Sequence, residues 1–306
     1  MIATVAAHQV TSLRRQRTAV ALVGLFVAMT ALAGVIGWSS SQTINRVYDQ
    51  AVVLLAQSGA PAPASPIGIK PTLSLLSNMT VYIPLVGALL ALVLGHLSIA
   101  DDRTNGVGRL LFSRQLSRTP YLFGKALGAS AVLVTALLAS LLVSVLALLV
   151  ANGTLPTATD LGRLTLFYGL SLLYLLAFLL IGMAAVLLTR KRSLALLSAM
   201  GVWLVVTFAL PQLTMGLRPT ASLNPISGPV STATGFFRVT SAARPLSLSE
   251  QYKQASADLL QTGPAAETVT ATVLHVLPLL IAVLALAVLT LFTVRRHDWS
   301  RSMAGE

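Results

Sequence analysis

Cysteine is absent from the 306 residues, so disulfides, thiolate metal sites and a cysteine nucleophile are excluded from the outset. Charge is also scarce: 10% of residues are Asp, Glu, Lys or Arg, where a soluble domain carries about 25%. Acids are the rarer sign, 9 against 21 bases. No Gly-x-x-x-x-Gly-Lys phosphate loop exists, because Gly124-Lys125 is the sole Gly-Lys pair and lacks the upstream glycine. The histidines, His8, His96, His275 and His297, form no i, i+4 pair and none stands beside a Glu, which argues against zinc. No basic face is interleaved with aromatics, so the net charge of +12 does not point to nucleic acid.

What the chain has is apolar length. Hydrophobic residues make up 55% of it and the mean hydropathy is +0.81. Six runs meet the roughly 20 residues needed to cross hydrocarbon as a helix: 20–38, 81–99, 121–151, 164–189, 193–213 and 273–294. The expected fold is all-α and integral to the membrane, a single domain over 1–306. Its cytosolic loop covers 100–120 and its external loops 39–80 and 214–272. The third run is longer than the hydrocarbon core, and Thr119 as N-cap with Pro120 at the first helical position would start it in the cytosol.

Lys and Arg orient the spans. One side gathers Arg14, Arg15, Arg17, Arg103, Arg109, Arg114, Arg118, Lys125, Arg190, Lys191, Arg192, Arg295, Arg296 and Arg301. The other has Arg46, Lys70, Arg163, Arg218, Arg238, Arg244 and Lys253 over longer loops. Both termini are therefore expected in the cytosol. Arg14 to Arg17 followed by Ala31-Leu32-Ala33 also fits a secretory signal, but the apolar run continues through Trp38 and its removal would break the charge alternation. Residues before Arg14 read either as an interfacial helix, with Ile2, Val5, Ala6 and Val10 at near-helical spacing, or as a frayed tail.

Within the six runs the ionisable groups other than tyrosine are His96, His275 and Lys125, each near an end. His96 reads as a hydrogen-bonded polar group or, less simply, a proton relay. With no Asp or Glu at mid-depth in any run, ion-coupled transport lacks its usual buried charge. Energy would then enter from outside the chain, through the polar wedge between spans two and three.

That wedge opens with Asp101, Asp102 and Arg103, the acids facing Arg103 or a partner's cations. Thr104, Asn105, Gly106 and Gly108 permit a sharp turn. A short helix from Arg109 through Leu110, Leu111, Phe112 and Arg114 to Ser117-Arg118 mixes apolar and cationic side chains. It suits a groove on a soluble domain and equally suits anionic lipid. Gly124 and Gly128 allow close helix approach or reflect incidental glycine content. In the outer segment 214–272, Ser249 to Leu260 is a helix candidate with Ser249 as cap and Tyr252, Ala255, Leu259 and Leu260 on one face. With 39–80 it reads as a gate, a dock for an accessory protein or a plain cap.

The order Asp102-Arg103, Gly106, Leu110-Leu111-Phe112-Ser113-Arg114, Ser117-Arg118, Gly124-Lys125 resembles the cytosolic loop of type 2 ATP-binding-cassette transporter permeases. Leu246 to Tyr252 before span six and the ending Arg295-Arg296-His297-Asp298 agree. Gln115 and Leu248 stand where that family often has proline. The nearest likeness is to the permeases of nitrous-oxide-reductase maturation. The resemblance implies a transport subunit without an ATPase site, pairing with a second copy in the bacterial plasma membrane. It implies a separate ATPase subunit that binds ATP and Mg and docks on Asp101, Asp102, Arg103, Thr104, Gly106, Arg109, Leu110, Leu111, Phe112, Arg114, Ser117 and Arg118. Export is the implied direction. The residues alone leave room for an ATP-independent channel or carrier, or a membrane-anchored assembly or immunity protein.

Overall fold

Among the residues that the computed structural model describes, 2–58, 71–104, 106, 117–153, 155–214, 242–262 and 269–297, there is no strand. Six helices are long and apolar enough to cross a membrane. Span one is Arg17–Gln57, span two Met79–Thr104, span three Arg118–Asn152, span four Ala158–Leu188, span five Arg192–Thr214, and span six lies within Val269–Arg296. An N-terminal helix, Ile2–Arg15, precedes them, and an outer helix, Leu248–Leu259, precedes span six.

Several ends differ from the sequence expectation, each for a local reason. Span one runs on past Trp38 because no Gly or Pro interrupts Ser39 to Gln57, while Ile44, Tyr48, Val52 and Leu55 keep a helical spacing. Its 41 residues extend about 62 Å at 1.5 Å rise, roughly twice the hydrocarbon thickness. Span three is capped at Ser117, whose backbone is extended, and not at Thr119. Pro120 is thus the third helical residue, still within the turn whose N–H groups have no partner in the helix. Span four starts inside the anticipated 152–163 link because Thr157 and Asp160 form a reciprocal capping box, with Asp160 N–H donating to Thr157 Oγ1 at 3.2 Å.

Spans two and four form the centre. Their apolar stretches are 78% and 72% buried, against 17% and 11% for spans five and six, which leaves those two facing outward. The crossing is closed by a reciprocal pair of glycines. A Cβ on Gly95 would collide with the Leu179 carbonyl, and one on Gly182 with the Leu92 carbonyl, so the backbones touch directly. Span three joins through hydroxyl pairs, Thr30 Oγ1 to Ser140 Oγ at 3.0 Å and Ser144 to Tyr168 at 2.7 Å.

The outer helix dips into the bundle. Its N-cap position is Ser247, not Ser249, and no side-chain bond caps it there. The Ser249 hydroxyl instead donates to the Val206 carbonyl at 3.0 Å and lies 2.8 Å from Tyr174 Oη, at mid-length of span four. Tyr252 stacks on Tyr174 at 4.7 Å and meets Ser171 at 2.9 Å. Tyr252, Ala255 and Leu260 are buried as the pattern predicts, whereas Leu259 is half-buried. The helix rests on irregular backbone. Val206 belongs to a π turn, Val205–Ala209, and Trp203 Nε1 donates at 3.3 Å to the Pro84 carbonyl in a second π turn, Ile83–Gly87.

This helix also corrects the picture of an interior free of acids. Glu250 is 1% exposed; it accepts from Thr214 Oγ1 and Arg244 Nε, both at 2.6 Å, and from Gln254 Nε2 at 3.2 Å. No span carries a carboxylate at mid-length, but a loop helix brings one in.

Candidate functional site at the root of the loop between spans two and three

Span two ends in Ala100-Asp101-Asp102-Arg103-Thr104 and span three begins at Ser117-Arg118, so the two ends of the wedge are fixed by well-formed helices. Arg109, Leu110, Leu111, Phe112 and Arg114 lie outside the described residues. Of the flanking residues expected to meet a partner, Asp101, Asp102, Arg103, Thr104 and Arg118 also have partners within the chain.

Asp102 sits between spans two and three. Its Oδ2 accepts from Tyr121 Oη at 2.7 Å and pairs with Lys125 Nζ at 2.7 Å; the two charged side chains are 13% and 5% exposed. A charge this deep is tolerated only when paired and hydrogen-bonded. Lys125 has a second acceptor, Gln9 Oε1 at 2.7 Å, and Gln9 Nε2 donates to Ser98 Oγ at 3.2 Å. Ser98 in turn donates to the Leu94 carbonyl at 2.6 Å. Tyr121, Asp102, Lys125, Gln9 and Ser98 thus make one unbroken polar chain through three helices.

Gln9 reaches this position because the N-terminal helix lies directly on span three. A Cβ on Gly124 would stand 2.6 Å from Val5 Cβ, and one on Gly128 2.6 Å from Gln9 Cβ and 2.7 Å from the Ala6 carbonyl. Close approach is therefore what this glycine pair provides. The N-terminal helix is ordered, with Gln9 and Leu13 on its buried side and Arg14 and Arg15 in its last turn, where cations suit the helix dipole.

Asp101 is at the rim. It pairs with Arg192 Nη2 at 2.9 Å and accepts from Gln16 Nε2, joining the start of span five to the start of span one. Neither acid pairs with Arg103, the intramolecular partner expected for them. Arg103 is 6% exposed and donates to the carbonyls of Val186 and, at 3.0 Å, Thr189. Those are carbonyls at the C-terminus of span four, a natural seat for a cation. Thr104 Oγ1 returns to the Ala100 carbonyl at 2.8 Å, and Gly106 takes φ +69°, the left-handed backbone a turn needs. Ser117 caps by backbone geometry alone, and Arg118 donates to the Arg295 carbonyl at the end of span six.

Among the described residues the wedge is consequently rooted in the N-terminal helix, span one, span three, the four–five turn and span six. Gln9, Ser98, Tyr121 and Lys125 were not among the expected site residues. One signal pointed to part of this set. Lys125 lies inside an apolar run at the same end as Asp102, and two buried charges of opposite sign at one depth pair with each other. Nothing in the sequence announced Gln9. Among the described residues no three His, Cys, Asp or Glu gather in a way that could hold a metal.

No curated protein matches the chain. The family model described as ABC-2 family transporter protein matches residues 3–299, nearly the whole length. With six apolar helices and that match end to end, the chain belongs to the ABC-2 family, the multi-pass membrane permease subunits of ATP-binding-cassette transporters.

Proposed function

We propose that this chain is an export permease driven through the root of its 100–120 loop by a separate ATPase subunit, which binds ATP and Mg. The observation that carries this reading is the polar chain from Tyr121 to Ser98. A push on residues 105–116 would reach Asp102 and Arg103, whose partners sit on spans three and four, and through Lys125 the N-terminal helix. Those partners are buried, so the loop cannot shift without moving the helices that hold it. Asp101, Asp102, Arg103, Thr104 and Arg118 would then transmit force, while Arg109, Leu110, Leu111, Phe112 and Arg114 make the contact.

Two copies would pair, since spans five and six leave most of their apolar surface uncovered and a half-transporter needs a second wall for its path. The long external extension of span one would receive an accessory protein. The bacterial plasma membrane and the nitrous-oxide-reductase-maturation permeases remain the setting and the group suggested by the loop motifs. The substrate class is left open.

One observation favours a carrier that runs without ATP, the buried Glu250. Both its oxygens are engaged by Thr214, Arg244 and Gln254, which suits a structural role better than ion exchange. The test is reconstitution with the cognate ATPase in liposomes. Arg114→Glu or Leu110→Asp should abolish stimulation of the ATPase and ATP-dependent transport together. Transport without ATP, or wild-type behaviour of both variants, would overturn the reading.

A further inference from the structure

One corner of the cytosolic face carries charge that the permease reading leaves unused. Asp101 accepts from Gln16 and Arg192 together, which brings the end of the N-terminal helix beside the turn between spans four and five. Arg14, Arg15 and Arg17 from the first and Arg190, Lys191 and Arg192 from the second are all exposed there. Asp101 is the acid at this corner, since Asp102 is occupied by Lys125 on the far side of span two. Six cations against one acid leave a strong positive excess.

The depth of the corner is set by its apolar neighbours. Val20 follows Arg17 and is 55% exposed; Leu188 precedes Arg190 at 65%, and Leu194 follows Arg192 at 51%. Large apolar side chains facing outward within three residues of the cations mark the edge of the hydrocarbon. The cations therefore stand at the level of lipid phosphates. Beside them a hollow of about 340 Å³ is lined by His8, Thr11, Ser12, Arg15 and Gln16. Gln16 reaches from this lining to Asp101 through its amide nitrogen.

We infer that this corner is a binding site for the headgroup of an anionic phospholipid of the inner leaflet, the phosphate lying between Arg15 and Arg190–Arg192 and the rest of the headgroup entering the hollow lined by Thr11, Ser12 and Arg15. A protein partner with an acidic rim offers the same charge, but the outward-facing Val20, Leu188 and Leu194 call for acyl chains directly beneath. The inference stands whether or not the chain couples to an ATPase.

Native mass spectrometry of the full chain in detergent, with phosphatidylglycerol and phosphatidylethanolamine in competition, tests it. Wild type should retain phosphatidylglycerol selectively. Arg15→Gln with Arg190→Gln should weaken that retention about thirtyfold, whereas Arg295→Gln with Arg296→Gln, the same change in net charge elsewhere on the cytosolic face, should leave it nearly intact. Equal loss in both doubles would overturn the site. So would equally tight binding of free glycerol phosphate, which would mean that no lipid is needed. If the corner double lost the ATPase subunit while keeping its lipid, the surface would be a protein contact and the inference would fail. Should the corner double fold poorly, wild-type retention can be followed against salt, where a retention that does not fall with ionic strength would also overturn it.

Discussion

The two buried polar regions of this permease, one at the root of the loop between spans two and three and one around the helix before span six, are built from different chemistry. The inner region relies on full charges, Asp102 with Lys125 and Arg103 on helix-end carbonyls, and links helices far apart in the sequence. The outer region relies mainly on neutral hydroxyls and stacked phenols, Tyr174 with Ser249 and Tyr252 with Ser171, and its buried carboxylate, Glu250, is met by a half-exposed arginine. Charge pairs are strong and directional but costly to break; hydroxyl pairs in a bilayer contribute little each and exchange readily. The inner region is thus suited to transmitting a displacement as a unit. The outer region is suited to letting one helix slide.

The sharpest way to break this comparison is to remove one charge from the inner pair. Lys125→Met leaves Asp102 buried with only Tyr121, and should cost about 3–5 kcal/mol of stability, visible as loss of folded protein from detergent extracts. The double change Lys125→Met with Asp102→Leu should recover much of that loss, because neither charge is then stranded. If the single and double changes behave alike, the pair is not the stabilising unit described.

Next in size is the seat of the N-terminal helix. Gly128→Val should push Gln9 off Lys125 and cost about 1–3 kcal/mol by overpacking against the Ala6 backbone. In the reconstituted complex it should lower transport per ATP hydrolysed more than it lowers hydrolysis itself. A proportional loss of both would mean that the helix is only structural. The outer counterpart is milder. Tyr252→Phe removes one hydroxyl bond to Ser171 but keeps the stacking on Tyr174, so a loss of about 0.6 kcal/mol is expected in thermal unfolding.

The contrast also explains what could be read from the sequence. Six spans were legible because hydropathy and Lys/Arg asymmetry are properties of composition, and the outer helix was legible because Tyr252, Ala255 and Leu260 repeat at helical spacing. Span one's extension beyond Trp38 was not, since a polar helix continuing past the membrane has no hydropathy signal, only an absence of Gly and Pro. The candidate site was half legible. Asp101, Asp102 and Arg103 stood out as charges, but Gln16 and Arg192 on Asp101, and the Val186 and Thr189 carbonyls on Arg103, come from elements more than 80 residues away. Glu250 was visible as a residue and invisible as a buried one, because burial came from a helix folding back into the bundle.

The smallest expected effect sharpens the comparison from within the inner region. Asp101 and Arg192 have the same charges as Asp102 and Lys125, yet their side chains are 26% and 45% exposed. Water screens the pair, and holding a long arginine in one geometry offsets part of the attraction, so Arg192→Gln should cost only about 0.3 kcal/mol. Gln16 continues to hold Asp101 after the change. Thermal unfolding in detergent at low and high salt distinguishes the two pairs: the Arg192→Gln difference should shrink with salt, and the Lys125→Met difference should persist. Similar salt sensitivity for both would show that depth, rather than charge, does not separate them, and that the inner region is rim throughout.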